Sequence, residues 1–166
     1  SQYVRDNISY NSEDQVISYT EVGLNEDGID YESNMLNIKY NNDGTTTEYR
    51  MEVTSENIVS EYHRFNVTYD VMDRTAGYTE EVLTQGVLSI VKMKDMEYGS
   101  ADMLVAYTRI DINTQGDTVK WERQNNIEYD LQDNVESYDS HRISEGVEII
   151  DIHWEAKSFV VDEQGN

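Results

Sequence analysis

Cysteine and proline are both absent from this chain of 166 residues. Without cysteine there is no disulfide framework, no thiolate zinc site and no cysteine nucleophile, and the redox compartment stays open. Without proline, strand edges lose one of their usual guards against pairing with a neighbour, so charge has to supply that protection. Basic residues are scarce. Twelve Lys and Arg stand against 34 Asp and Glu, a formal net charge of −22. Lysine occurs only at Lys39, Lys92, Lys94, Lys120 and Lys157. Such a chain is repelled by phosphate backbones and by anionic lipid, which argues against nucleic-acid partners. Long apolar runs are missing as well. No window approaches the roughly 18 apolar residues needed to span a bilayer. The start, SQYVRDNISY, has neither a basic n-region nor an apolar h-region, so a soluble chain without membrane insertion is expected.

What is present argues for a folded domain rather than an acidic disordered one: 13 tyrosines, two tryptophans and regular apolar alternation. The length fits a single β domain over 1–166. Most of the acid must then lie on the surface. Salt at about 1 M shrinks the Debye length to about 3 Å and relieves self-repulsion, so the composition suits concentrated salt.

Period-two alternation dominates the pattern. Residues 36–53 read as a hairpin: Leu36, Ile38 and Tyr40 alternate with polar residues, Asp43-Gly44 turns, and Thr47, Tyr49, Met51 and Val53 return on one buried face. Residues 104–124 repeat the design, with Ile110 and Ile112 inward, a turn at Gln115-Gly116, and Val119 and Trp121 on the way back. An offset of 72 pairs Asn41 with Asn113, Gly44 with Gly116 and Tyr49 with Trp121, while 71 serves upstream. These matches suggest a pseudo-repeat of 15–53 and 86–124. Further strands are expected at 15–22, 61–71, 86–94, 127–131 and 147–161, with a short helix fitting only 72–85. The expected fold is all-β, a two-layer antiparallel sandwich of jelly-roll or Ig-like type with little helix.

Chemistry-bearing motifs are few. The stretch DIHWE places Asp151, His153 and Glu155 on one face of a strand, but about 13 Å separates the first from the last, too far for one ion. A cation at His153 would therefore need ligands from elsewhere in the chain or from a neighbouring subunit. Ile152 and Trp154, on the other face, are expected to close the core. No EF-hand pattern precedes Gly28 or Gly44, which leaves an irregular calcium or sodium site at Glu26, Asp27 and Asp30 as the remaining cation candidate. There is no nucleophile elbow, P-loop or dinucleotide fingerprint, and His63, His141 and His153 lack a local partner pattern. No catalytic residue and no cofactor are assigned. Two sequons, at Asn7 and Asn66, would permit glycosylation in a secretory or surface setting.

These features favour a non-enzymatic structural or interaction protein of a virion, filament or cell-surface layer, associating with itself or with other structural subunits. The competing reading is a carbohydrate- or ligand-binding β-sandwich module of a secreted protein, using exposed tyrosine or tryptophan.

Overall fold

Alternation carries through the chain as eleven strands: β1 (Gln2–Tyr10), β2 (Val16–Leu24), β3 (Asp30–Tyr40), β4 (Thr46–Ser55), β5 (Ile58–Tyr69), β6 (Thr75–Thr84), β7 (Val87–Tyr98), β8 (Leu104–Ile112), β9 (Thr118–Tyr129), β10 (Val135–Ser144) and β11 (Val147–Glu155). The structure, a computed structural model, describes residues 2–24, 28–99, 102–130, 133–144 and 147–156. All eleven strands join one antiparallel sheet in chain order, and no helix occurs among the described residues. The stretch 72–85, the one place where a short helix could fit, is a turn followed by β6. Thr75, Thr79, Val82 and Thr84 are β-branched and suit a pleated surface. Both β5 and β7 pair with that segment, so its backbone is satisfied as strand.

The sheet is a tandem array of hairpins with a spacing of 29–31 residues. At one end, five turns close in the same way, with the amide of residues 11, 41, 70, 99 and 130 donating to the carbonyl four residues on. The fourth residue of each is in the left-handed region: Asp14, Gly44, Asp73, Asp102 and Asp133. In four of the five the first residue is Asn or Asp. At Asn11, Asn41 and Asp70 its Oδ1 accepts amides of the turn at both i+2 and i+4, and at Asp130 the amide at i+4. Such side chains bond their own turn backbone, which is why they open turns. Four residues before each turn lies a left-handed bulge residue, Asn7, Asn37, Asn66, Asp95 and Asn126, with φ of 52, 53, 52, 52 and 53°. Immediately before each turn stands a tyrosine: Tyr10, Tyr40, Tyr69, Tyr98 and Tyr129. The Gly44 and Gly116 turns matched by the offset of 72 join β3 to β4 and β8 to β9, which places them at opposite ends of the sheet.

Four of these tyrosines tie each hairpin to the one before it. The hydroxyls of Tyr40, Tyr69, Tyr98 and Tyr129 donate to the backbone carbonyls of Val16, Thr46, Thr75 and Leu104, at 2.6, 2.5, 2.8 and 2.7 Å. Each bond spans the gap that the bulge opens, and each is worth on the order of 1 kcal/mol. Stability in such an array is approximately the sum of unit and nearest-neighbour terms.

Paired residues share a face, and alternate residues point oppositely. One face carries Tyr19, Tyr49, Tyr78, Tyr107 and Tyr138 and is called here the tyrosine face. The other carries Ile90, Ile110, Ile112, Trp121 and Ile143 and is called the isoleucine face. The bulge at Asn37 resets the phase in the first expected hairpin. Leu36 pairs with Arg50, so it faces away from Met51 and is 45% exposed. Contacts between strands run only between sequence neighbours. The expected jelly-roll or Ig-like second layer is not seen among the described strands. Ala106 and Ile127 are the buried hydrophobic residues among those described. Ile152 and Trp154, expected in a core, are 36% and 40% exposed on the edge strand β11, because no opposing layer covers them among the described residues.

Candidate interaction surfaces

Of the residues singled out for cation binding, Glu26 and Asp27 lie outside the described residues. Asp30 is exposed at the start of β3. His153 stands on β11, eight strands and about 38 Å away at about 4.8 Å per strand. His153 Nδ1 lies 2.7 Å from Asp139 Oδ1. The hydrogen bond and charge of Asp139 raise the imidazole above its ordinary 6.5. Asp139 in turn is held below the usual carboxylate range by Asn126 and His153. Asp151 pairs with His141 at 2.6 Å instead of joining His153. The polar trio of DIHWE is thus divided between cross-strand partners. Among the described residues no group of three or more His, Asp or Glu is placed to hold a metal ion. His63 is the most enclosed histidine, set between Glu48 at 3.1 Å and Glu81 at 3.3 Å and stacked on Phe65 at 4.8 Å.

The tyrosine face is organised by arginine. Arg64 lies over Tyr78 at 3.9 Å and Tyr49 at 5.6 Å, and its Nη2 meets Glu80 at 2.6 Å. Arg5 repeats the arrangement one end over, 4.6 Å from Tyr19 and 2.8 Å from Glu21. Tyr31 donates its hydroxyl to Glu21 at 2.6 Å, and with Arg5 it holds that carboxyl below its ordinary value. Arg stems laid along apolar rings cover surface that a second layer would otherwise bury.

Further along the same face, Glu122 is 4% exposed. Burial pushes its carboxyl up, but hydrogen bonds from Gln124, Lys120, Ser140 and Arg142 overcome that and hold it at about 2. Ser140, itself 2% exposed, donates at 2.9 Å and Arg142 Nε at 2.8 Å. With its donors supplied by the protein, this carboxylate has no proton to offer near neutral pH. It is a fastening of β9 to β10, with the geometry of a structural group.

Two surfaces remain open. On the isoleucine face, register pairs set Leu83 beside Leu88, Ile90 beside Ile112, and Ile110, Trp121 and Ile143 in one row across β8, β9 and β10. Leu83, Leu88 and Ile143 are 36%, 41% and 37% exposed. On the tyrosine face, Tyr3 and Tyr31 flank Gly23 across adjacent strands. Comparison with known protein families, curated proteins and solved structures finds no match.

Proposed function

We propose that this chain works by contact rather than catalysis, as a structural or interaction subunit that associates with itself. A second copy covers the isoleucine face with its own, so that a two-layer sandwich is completed between molecules. The observation carrying this reading is the continuous apolar row Ile110, Trp121 and Ile143, with Ile90–Ile112 and Leu83–Leu88 beside it, on a sheet with no second layer among the described residues. Contiguous apolar surface rimmed by polar groups marks interaction sites. Sheets stacked about 10 Å apart bury such faces. A net charge of −22 on each copy opposes the pairing. Concentrated salt screens it, so the acidic exterior and the association belong together. A virion, filament or cell-surface layer is the proposed setting. The exposure of both sequon asparagines, Asn7 and Asn66, at equivalent bulges supports an extracellular one. No cofactor is required.

Light scattering after gel filtration, from low to multimolar salt, tests this. Dimers should form as salt rises, and Ile110→Glu should abolish them while the folded spectrum is kept. A chain that stays monomeric at every salt concentration would sink the reading. The high-salt claim fails separately if salt does not raise the melting temperature beyond ordinary salting-out.

A second reading, a carbohydrate-binding module, is favoured by Tyr3 and Tyr31 on either side of Gly23. Two rings flanking a residue without a side chain leave a slot in which a sugar ring could stack. NMR screening against oligosaccharides should then shift Tyr3 and Tyr31, and Tyr31→Ala should remove the effect. No shift with any glycan would exclude this reading.

A further inference from the structure

Acids outnumber bases by 34 to 12, so a base with no acidic partner is the exception that needs a reason. Among the described lysines and arginines, Arg50, Lys92 and Lys94 make no ion pair and no side-chain hydrogen bond. All three are exposed, and all three lie on the isoleucine face. On the tyrosine face, by contrast, Arg5, Arg64, Arg109, Lys120 and Arg142 are each held by a carboxylate of the same chain. The isoleucine face also carries acid without a partner. Glu52 and Glu61 are exposed and oppose each other directly across β4 and β5, and neither side chain has a hydrogen bond or an ion pair. Like charges set directly opposite in a sheet are destabilising.

Register arranges these groups in rows that cross the strands, about 6.7 Å apart along them. One row runs through Arg50, His63, Glu81, Ile90 and Ile112. The next, two residues along each strand, runs through Glu48, Phe65, Thr79, Lys92 and Ile110 and on to Trp121. Glu52, Glu61, Leu83 and Leu88 form the row outside the first, and Lys94 stands in the row outside the second. The two middle rows are complementary. Where one carries an unpaired base, the other carries a carboxylate on the same strand or on the strand beside it.

We propose that two copies meeting through the isoleucine face, the reading on which this inference rests, are related by a two-fold axis that runs across the strands between these two middle rows. Each row then covers the partner's other row. Arg50 comes over the partner's Glu48, and Ile112 over the partner's Ile110. Lys92 comes over the partner's Ile90, which is paired in the sheet with the partner's Glu81, so the ammonium reaches that carboxylate. Lys94 meets the row that holds the partner's Glu52 and the partner's Glu61. Every contact occurs twice, as a two-fold interface requires. An axis along the strands that stacks the apolar patch on itself sets Lys92 over its own counterpart, over Ile110 or over Trp121, none of which is acidic. Charge complementarity of this kind fixes register and suppresses wrong pairings. It also fits the net charge of −22. Pairs covered by a second sheet are screened less than exposed acids, so added salt removes the repulsion and keeps the pairs.

The test is sedimentation equilibrium of the full chain and its charge variants, from low to multimolar salt, with circular dichroism confirming that each is folded. Glu81→Lys removes two of the 22 net negative charges, so long-range repulsion alone predicts a tighter dimer. A dimer weakened about 100-fold is expected instead, because the new lysine meets the partner's Lys92 at both symmetric contacts. Glu13→Lys, in the exposed turn after β1, makes the same change of net charge and should not weaken the dimer. Lys92→Glu should also weaken it about 100-fold, and so should Arg50→Glu, at an exposed side chain with no contact to lose. An equimolar mixture of Lys92→Glu and Glu81→Lys chains should recover the dimer to within about 5-fold of the parent, since the mixed pair restores both contacts. A parent that dimerises while Glu81→Lys behaves as Glu13→Lys would overturn the axis and leave the isoleucine face as the interface. A mixture that recovers nothing would do the same. A parent that is monomeric at every salt concentration would overturn the face and the axis together.

Discussion

Replacing Glu122 by glutamine is expected to loosen one part of the sheet and leave the rest intact. The carboxyl is held at about 2 against an ordinary 4.5, a difference of about 2.5 units. At about 1.36 kcal/mol per unit, that is about 3 kcal/mol of stability carried by the ionised form. The side chain is only 6% exposed, so solvent takes little of this away. Because the folded value is depressed, the contribution is complete above about pH 4.5 and is lost as the pH falls toward 2. Glutamine keeps the volume but turns an amide toward Arg142 and Lys120, whose Nε and Nζ meet Glu122 at 2.8 and 3.1 Å. Urea unfolding followed by the fluorescence of Trp121 should therefore show a loss of about 2–3 kcal/mol at pH 7. The difference from the parent chain should narrow to near zero at pH 2. In an array held by nearest-neighbour terms, the loss should stay local. Hydrogen exchange should accelerate in β8, β9 and β10, while β3 to β6 keep their protection. A difference under about 0.5 kcal/mol at pH 7, typical of an ordinary surface change, would refute the reasoning. So would a loss that does not depend on pH.

Tyr129→Phe removes one inter-hairpin hydrogen bond and should cost about 0.5–1.5 kcal/mol in chemical denaturation, whereas Tyr10→Phe, with nothing to lose, should cost close to none; equal effects would contradict the staple. Gly77→Ala should be destabilising by about 1–3 kcal/mol, because the added Cβ would sit 2.8 Å from the Met93 carbonyl oxygen and 3.2 Å from Lys94 Cα, both backbone atoms with little room to give. A melting temperature unchanged by that substitution would show that the two strands separate freely. His153 should titrate above 6.5 by NMR, and Asp139→Asn should bring it down. Since the folded value is raised, whatever His153 adds to the β10–β11 pairing is full below about pH 6.5 and fades as the pH climbs through the folded value. An unshifted His153 would remove that pH dependence.

Strands with clean alternation and turn residues on both sides were legible: β2, β3, β4, β5, β7, β8 and β9 all overlap segments where period-two patterning is evident. β1 and β10 were not, for different reasons. In QYVRDNISY the bulge at Asn7 interrupts the alternation after a single turn of phase. In VESYDSHRIS the residues that hold the strand are polar, with Ser137 and Ser140 buried where a core strand would place valine. β6 was open to a helical reading because TAGYTEEVLT contains helix formers. Its fate was decided by two neighbouring strands, which local propensity does not see. Of the cation candidates, only Asp30 and His153 fall in the described residues, and nothing in their spacing could show that their strands lie eight apart.

The hairpin repeat was visible in principle. Tyr10-Asn11, Tyr40-Asn41, Tyr69-Asp70, Tyr98-Gly99 and Tyr129-Asp130 recur every 29–31 residues, and eight residues after each turn begins stand Tyr19, Tyr49, Tyr78, Tyr107 and Tyr138. Comparing hairpins by their glycine turns hides this period. Gly44 is the only glycine at the fourth turn position of the five, and Gly116 belongs to the other end. Aspartate does the same work at the remaining four, accepting a left-handed φ at modest cost. The number of layers was not visible. A strand half-covered by Arg stems and tyrosine rings presents the same alternation as one packed against a second sheet. The distinction lies in where the arginines sit. Arg5 and Arg64 fall on the same face as the tyrosines and lie over them, a placement that a sandwich interior would penalise by desolvating the charge. Arginine in phase with the aromatic positions of a strand is therefore the signal that this face keeps contact with water, and the isoleucine face is the one that the proposed self-association would cover.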